Sequence, residues 1–346
     1  MKALASIVSL VLLLATATLV GCARPDAGDG SRGGRTLIQN KGSDTLVNVA
    51  QAWAEAYKDV DPSVAIAVSG GGSGTGISAL INGTVDLANT SRQMKDEEIE
   101  LARAAGNEPV EHVVGYDALA VFLHADNPAT SLSLSQLAEI YGEGGTIDTW
   151  SQLGLEVPGC SSDEIVRVSR QNNSGTYVYF QEAVLGKQRD YRLGSRDMHG
   201  SKDVVDLVEK TPCAIGYSGL AYATHGVQVV CLATEGDEDC VNASVETASD
   251  GSYPIARPLF MLTQGEPAGA VAEYLQWILS DDGQCILRDK GYAPVRDVAC
   301  GGAGETADHG SADHGAEDHA AEGAVDEADA PADAAPDAAA TEEAAG

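Results

Sequence analysis

Three times along this chain a short β-branched or apolar run gives way to a turn of glycine, serine and threonine, and each turn opens into a stretch with helical periodicity. Residues 36–39 read as a strand, followed by Gly42-Ser43-Asp44-Thr45 and a helix predicted over 46–57, with Leu46, Val49, Ala50, Trp53 and Tyr57 on one face. Residues 64–69 form a second β-branched run ending in seven residues, Gly70 to Gly76, that are all glycine, serine or threonine. A helix is predicted over 77–82 and a short strand over 85–88, leading into Asn89 and Arg92. The unit recurs across 165–185, with Asn173-Ser174-Gly175-Thr176 as its turn. Strands alternating with helices in this way predict an α/β fold.

Those turns also carry the chemistry. The first N–H groups of a helix have no intrahelical acceptor, and the helix dipole favours a negative guest there. Ser43, Thr45, Ser73, Thr75, Ser174 and Thr176 can each add a hydroxyl donor, and glycine lets the backbone approach an anion closely. Helix capping alone explains any one such turn. Three in one chain, accompanied by Arg92 and Arg170, point to a shared oxyanion site, because a guanidinium presents planar forked donors that match two oxygens of a tetrahedral anion.

The chain ends read differently from this body. Met1 and Lys2 precede an apolar run over 3–14 that is too short to span a bilayer and reads as a signal peptide covering 1–21. It closes on Leu19-Val20-Gly21-Cys22, which resembles a bacterial lipobox and implies that Cys22 carries the lipid anchor; an ordinary signal peptide containing a cysteine is the alternative. Each buried methylene of such an anchor adds about 0.8 kcal/mol of membrane affinity. Residues 22–34 are then a flexible tether. At the other end, 301–346 holds thirteen of the acidic residues behind the net charge of −31 and has no lysine, arginine or aromatic side chain. That composition predicts a disordered acidic tail. His309, His314 and His319 recur there at a spacing of five, which does not align them on one helical face, so no metal site is assigned. The acidic charge excludes nucleic acid as a partner. It does not exclude an anionic ligand, since surface charge is screened over about 8 Å in physiological salt.

With Cys22 assigned to lipid, six cysteines remain, and an even number in an exported chain predicts disulfides. Short loops favour Cys231 with Cys240 and Cys285 with Cys300, which leaves Cys160 with Cys213. None lies in a C-x-x-C pair or beside a histidine, so a metal centre is not indicated, and no cofactor is implied. Enzymatic readings fare no better. Gly72-Ser73-Gly74-Thr75-Gly76 puts glycine where a nucleophile elbow needs serine, and His112, His124, His199 and His225 lack any motif that pairs them with a nucleophile.

The strings G-S-D-T-L, S-G-G-G-S-G-T-G, T-S-R and S-R-Q-N-N-S-G-T resemble those of the phosphate-binding proteins of bacterial ABC importers. The resemblance continues through Asp197-Met198-His199-Gly200-Ser201, Ala214-Ile215-Gly216-Tyr217-Ser218 and Arg257-Pro258-Leu259. It implies a type II periplasmic-binding-protein fold, two α/β lobes joined by a two-strand hinge, closing over dehydrated phosphate. It also implies a monomeric, non-enzymatic receptor that delivers phosphate to a membrane permease. Matched position by position, the ligand set is Asp44 and Thr45 with Ser43 adjacent, Ser73, Arg170, Ser174, Gly175 and Thr176; Ser91 and Arg92 complete it, Arg92 on the fit of a guanidinium to a tetrahedral oxyanion. Lobe one is expected over 35–123 plus 221–300 and lobe two over 124–220, with the chain crossing near 117–126 and again near 217–224. One departure matters: Ser91-Arg92 stands where some family members carry an aspartate that accepts the proton of hydrogen phosphate. Asp44 is the nearest replacement for that acceptor. The departure leaves open a receptor for sulfate, molybdate or tungstate, and a surface hydrolase or adhesion factor on the same scaffold is the remaining alternative.

Overall fold

The computed structural model describes residues 35–234 and 239–300. The expected signal peptide, Cys22, the tether over 22–34 and the acidic tail with its three histidines lie outside the described residues.

The first strands and helices follow the expected alternation: β1 (Thr36–Gly42), α1 (Val47–Val60), β2 (Val64–Ser69), α2 (Ser73–Ile81), β3 (Leu87–Thr90) and α3 (Asp96–Ala104). Strand β1 pairs in parallel with both β2 and β3. Helix α1 buries Val49, Ala50, Trp53, Ala54 and Tyr57, the spacing that a 3.6-residue turn requires. Trp53 also donates its indole N–H to the Gly283 carbonyl at 2.7 Å. Helix α2 begins at Ser73, four residues before the apolar signal at Ile77, because the turn glycines themselves wind into its first turn. A Cβ at Gly76 would stand 2.5 Å from the Lys41 carbonyl oxygen, so only glycine lets α2 sit this close to β1. Strand β3 lies two residues beyond its expected place and is buried along its whole length, which brings polar Asn89 and Thr90 into the sheet.

Strand β4 (Pro109–His124) then runs through both halves of the molecule. After it come β5 (Ser131–Ser133), α4 (Leu134–Tyr141), β6 (Val166–Arg170), α5 (Gly175–Phe180), β7 (Arg196–Met198), α6 (Ser201–Glu209), β8 (Ala214–Gly219), β9 (Val227–Val229), β10 (Cys231–Ala233), α7 (Val245–Ser249), β11 (Ala256–Gln264), α8 (Gly269–Ile278) and α9 (Asp281–Asp289). The main sheet has the order β2-β1-β3-β11-β4-β8-β6-β7, with β9 also paired to β4. The first half of β4 lies antiparallel to β11, from Pro109 opposite Gln264 to Ala118 opposite Ala256; its second half, Leu119 to Leu123, pairs with β8. Each half carries its own cores. Ile38, Trp53, Leu87, Met261 and Tyr274 fill the first lobe, and Leu119, Tyr141, Trp150, Phe180 and Tyr217 fill the second.

The second crossing is not where the strand pattern placed it. After β8 the chain makes one 3-10 turn, Leu220–Tyr222, and returns to the second lobe, where β9 pairs with Phe122 to His124 and β10 pairs with β5. Val230, Leu232, Ala248, Tyr253 and Ile255 are buried in the second core. The crossing back is made by β11, whose Arg257 faces Asp117 of β4. Three-residue strands carry too few side chains to show alternation, so nothing in this segment announced the detour.

The three disulfides are Cys160–Cys213, Cys231–Cys240 and Cys285–Cys300, separated by 53, 9 and 15 residues in sequence. By loop entropy the longest constrains the unfolded chain most, by about 4 kcal/mol against about 2.6 and 3 for the others. Replacing Cys160 and Cys213 together by serine should therefore lower the Tm more than replacing either other pair. Scanning calorimetry of the three double variants checks the ranking, and equal shifts would refute it.

Candidate anion site

The three turns converge. Among the first-lobe residues, Ser43 donates its hydroxyl to Ser91 Oγ at 3.0 Å, Ser73 Oγ lies 3.4 Å from Ser91 Oγ, and the Ser91 amide donates to Ser73 Oγ at 3.1 Å. All three serines are buried. Across from them stands the start of α5. Ser174 caps that helix by accepting from the Thr176 amide at 3.1 Å, and Thr176 Oγ1 is 3.1 Å from Thr45 Oγ1 of the first lobe. A Cβ at Gly175 would lie 2.3 Å from Ser73 Oγ and 2.6 Å from Ser91 Oγ, so the two lobes meet at this glycine with no room for a side chain.

Arg170 ends β6 on the floor of the site, 1 % exposed. Its Nη1 donates to Ser201 Oγ at 3.0 Å, and its Nη2 donates to the His199 carbonyl at 2.8 Å and to Asp44 Oδ2 at 3.1 Å. Burial pushes its pKa down and the Asp44 carboxylate opposes that shift. Nε is buried without a partner. Asp44 therefore ties the lobes together: its Oδ1 accepts from the Gly71 amide at 2.9 Å while its Oδ2 holds Arg170. The carbonyl of Asp44 accepts from the Tyr222 hydroxyl at 2.5 Å. Burial pushes that phenol up to about 12.

Arg92 is placed differently from the sequence expectation. Its two terminal nitrogens make a forked pair with Glu98, both bonds 2.7 Å, and Nη1 also donates to the Gln93 carbonyl at 2.7 Å. The guanidinium is committed to a carboxylate six residues away and does not reach the serine cluster through any terminal nitrogen. Partial burial raises the Glu98 pKa, but the bonds from Arg92 and the Lys95 amide outweigh it and hold the carboxyl below its ordinary value of 4.5. A depressed carboxylate pKa adds stability above the unfolded pKa that is lost as pH falls through the folded one. Glu98→Gln should therefore flatten the fall in Tm below about pH 4.5, measured by thermal melts across pH 3–6. An unchanged acid limb would show that this pair contributes nothing.

The guanidinium that does reach the site is Arg257, which lies in one of the strings that carry the resemblance but is not in the expected ligand set. It is 1 % exposed, donates from Nη2 to Thr45 Oγ1 at 3.2 Å and from Nη1 to the Ser91 carbonyl at 3.4 Å, and is held by Asp117 Oδ2 at 2.7 and 3.0 Å. Asp117 and Arg257 face each other on the two strands that cross between lobes. Tyr179 of the second lobe places its ring 5.6 Å from the Arg257 guanidinium and donates its hydroxyl to the Ala256 carbonyl at 2.5 Å. The signal that could have found Arg257 is a lone arginine in the apolar string Ala-Arg-Pro-Leu-Phe-Met-Leu. Among the described residues, no group of three or more His, Cys, Asp or Glu side chains is arranged to hold a metal ion.

The fold and this convergence define a two-lobed solute-binding protein. Residues 27–282 match the PBP superfamily domain. The chain is 35 % identical over 269 residues to the phosphate-binding protein PstS of Pseudomonas aeruginosa, a match covering 75 % of this chain and 83 % of that one. It is 28 % identical to the phosphate-binding protein PstS of Bacillus subtilis, over 84 % of this chain and 94 % of the relative. Among solved structures it is similar, with a TM-score of 0.67 and 31 % identity, to a Clostridium perfringens protein assigned as a phosphate ABC transporter substrate-binding protein and solved with bound phosphate; the match covers 75 % of this chain and 100 % of that one. The chain belongs to the PBP superfamily, and within it to the family of the proteins named phosphate-binding protein PstS.

Proposed function

We propose that this protein captures inorganic phosphate between its lobes and delivers it to the membrane permease of an ABC importer, working as a monomer tethered to the membrane through a lipid on Cys22. The observation that carries the reading is the meeting of Ser43, Ser73 and Ser91 from one lobe with Gly175 and Thr176 from the other, flanked by Arg170 and Arg257. These groups are donors, and they come from segments that are adjacent only when the lobes meet. A bound anion would draw hydroxyl and first-turn amide donors from both lobes, so its binding energy favours the shut form.

Charge inside the site is balanced before any ligand arrives. Arg170 is paired with Asp44 and Arg257 with Asp117, and Arg92 beside the site with Glu98. An excess of positive charge is thus not what holds the anion; short contacts to dipoles in a water-poor cleft do so, where a hydrogen bond to a charged group contributes about 1.5–3 kcal/mol. This reconciles an acidic protein with an anionic ligand.

Isothermal titration with phosphate, arsenate and sulfate tests the proposal. Submicromolar phosphate binding at one site per chain, weak sulfate binding and no turnover of a phosphate ester are expected. Absence of phosphate binding would overturn it. A receptor for a fully ionised oxyanion is the second reading, favoured by the fact that both oxygens of Asp44 already hold partners, one Gly71 and the other Arg170. Tight sulfate binding in the same titration would select it.

A further inference from the structure

Some contacts that join the lobes involve neither the serine cluster nor the arginines. Asn173 stands just before the Ser174 cap, half-buried, and reaches out of the second lobe into the glycine turn of the first. Its backbone carbonyl accepts from the Gly74 amide at 3.0 Å. Its side-chain Nδ2 donates to the Gly71 carbonyl at 3.0 Å and lies 3.4 Å from Thr75 Oγ1. The receiving turn is shaped for this approach: Gly72 has φ of 89°, and a Cβ there would lie 2.7 Å from the Asn173 carbonyl oxygen. Asn173 itself has no left-handed φ, so its side chain can be changed without backbone strain.

We propose that Asn173 is a latch: a positioning residue that holds the lobes together by direct hydrogen bonds and thereby sets how fast the anion leaves. The inference rests on the reading that the lobes open and shut around an anion. Its partners lie about a hundred positions away on the other lobe, so the bonds exist only while the lobes meet. They bring no donor to the anion. Their loss should therefore speed opening and release without slowing capture, whereas loss of an anion contact weakens binding with the latch intact.

The test compares the full chain with Asn173→Ala, Asn173→Asp and Asn172→Ala, the last an exposed neighbour serving as control. Stopped-flow phosphate release and hydrogen exchange of the 70–76 segment without phosphate are the two readouts. Asn173→Ala and Asn173→Asp both lack the Nδ2 donor. Each should release phosphate about tenfold faster, with an unchanged association rate, and should exchange the Gly74 amide about tenfold faster. Asn172→Ala should match wild type. Release and exchange at wild-type rates in both Asn173 variants, or the same acceleration in Asn172→Ala, would overturn the latch. If wild type binds no phosphate, the functional proposal fails separately, and the exchange comparison alone decides the latch.

Discussion

Gly175→Ala is expected to weaken phosphate binding by about 100-fold or more, which is about 2.7 kcal/mol, with little change in the Tm of the ligand-free protein. Alanine is a better helix former than glycine at the first position of α5, and Gly175 has no left-handed φ, so the second lobe should tolerate the change. The new methyl would instead stand 2.3 Å from Ser73 Oγ and 2.6 Å from Ser91 Oγ, both on the other lobe. Overpacking of a tight contact costs about 1–3 kcal/mol, and turning the two hydroxyls aside would break the serine cluster and still leave Ser73 Cβ 3.0 Å from the new methyl, so the strain pushes the lobes apart. Titration calorimetry with a parallel thermal melt checks both halves of the expectation. Unchanged affinity would mean that the lobes need not meet at Gly175 for the anion to bind.

Arg170→Ala should have the other large effect, a loss of phosphate affinity of about 100- to 1000-fold together with a lower Tm. The arginine is buried with its Nε unpartnered, a donor an anion could take up, and its terminal nitrogens keep the mostly buried Asp44 carboxylate paired. Removing one partner of a buried ion pair costs about 3–5 kcal/mol, much of it from the charge left behind. Adding Asp44→Ala to Arg170→Ala should recover stability by removing that charge, yet should not recover binding. Arg170→Lys should not restore affinity, because a single ammonium cannot reproduce the fork. Recovery of tight binding in the double variant would show that Arg170 serves only to neutralise Asp44.

Much of this was legible in the sequence because glycine, serine and threonine mark helix starts with short-range chemistry. Ser43, Thr45, Ser73, Ser174 and Thr176 stand where strand, turn and helix hand over, and the structure brings those turns together. What escaped was set by distance in the chain. Asp117 and Arg257 are 140 residues apart, and each sits in a mostly apolar stretch of strand whose pattern gives no hint of a partner. The excursion of β9 and β10 into the second lobe was hidden because three-residue strands leave no periodic trace. Arg92 is a different case. Its partner, Glu98, is only six residues away in the first turn of α3, a local carboxylate that competes with any oxyanion for the terminal nitrogens.

A structure of the protein crystallised with phosphate would bear most directly on the central claim, that donors of both lobes enclose one tetrahedral anion. The expected result is a single phosphate among Thr45, Ser73, Ser91, Arg170, Gly175 and Thr176, with at least one oxygen accepting from each lobe. Phosphate bound by one lobe alone, or ordered anywhere other than where the serine cluster faces α5, would contradict the account.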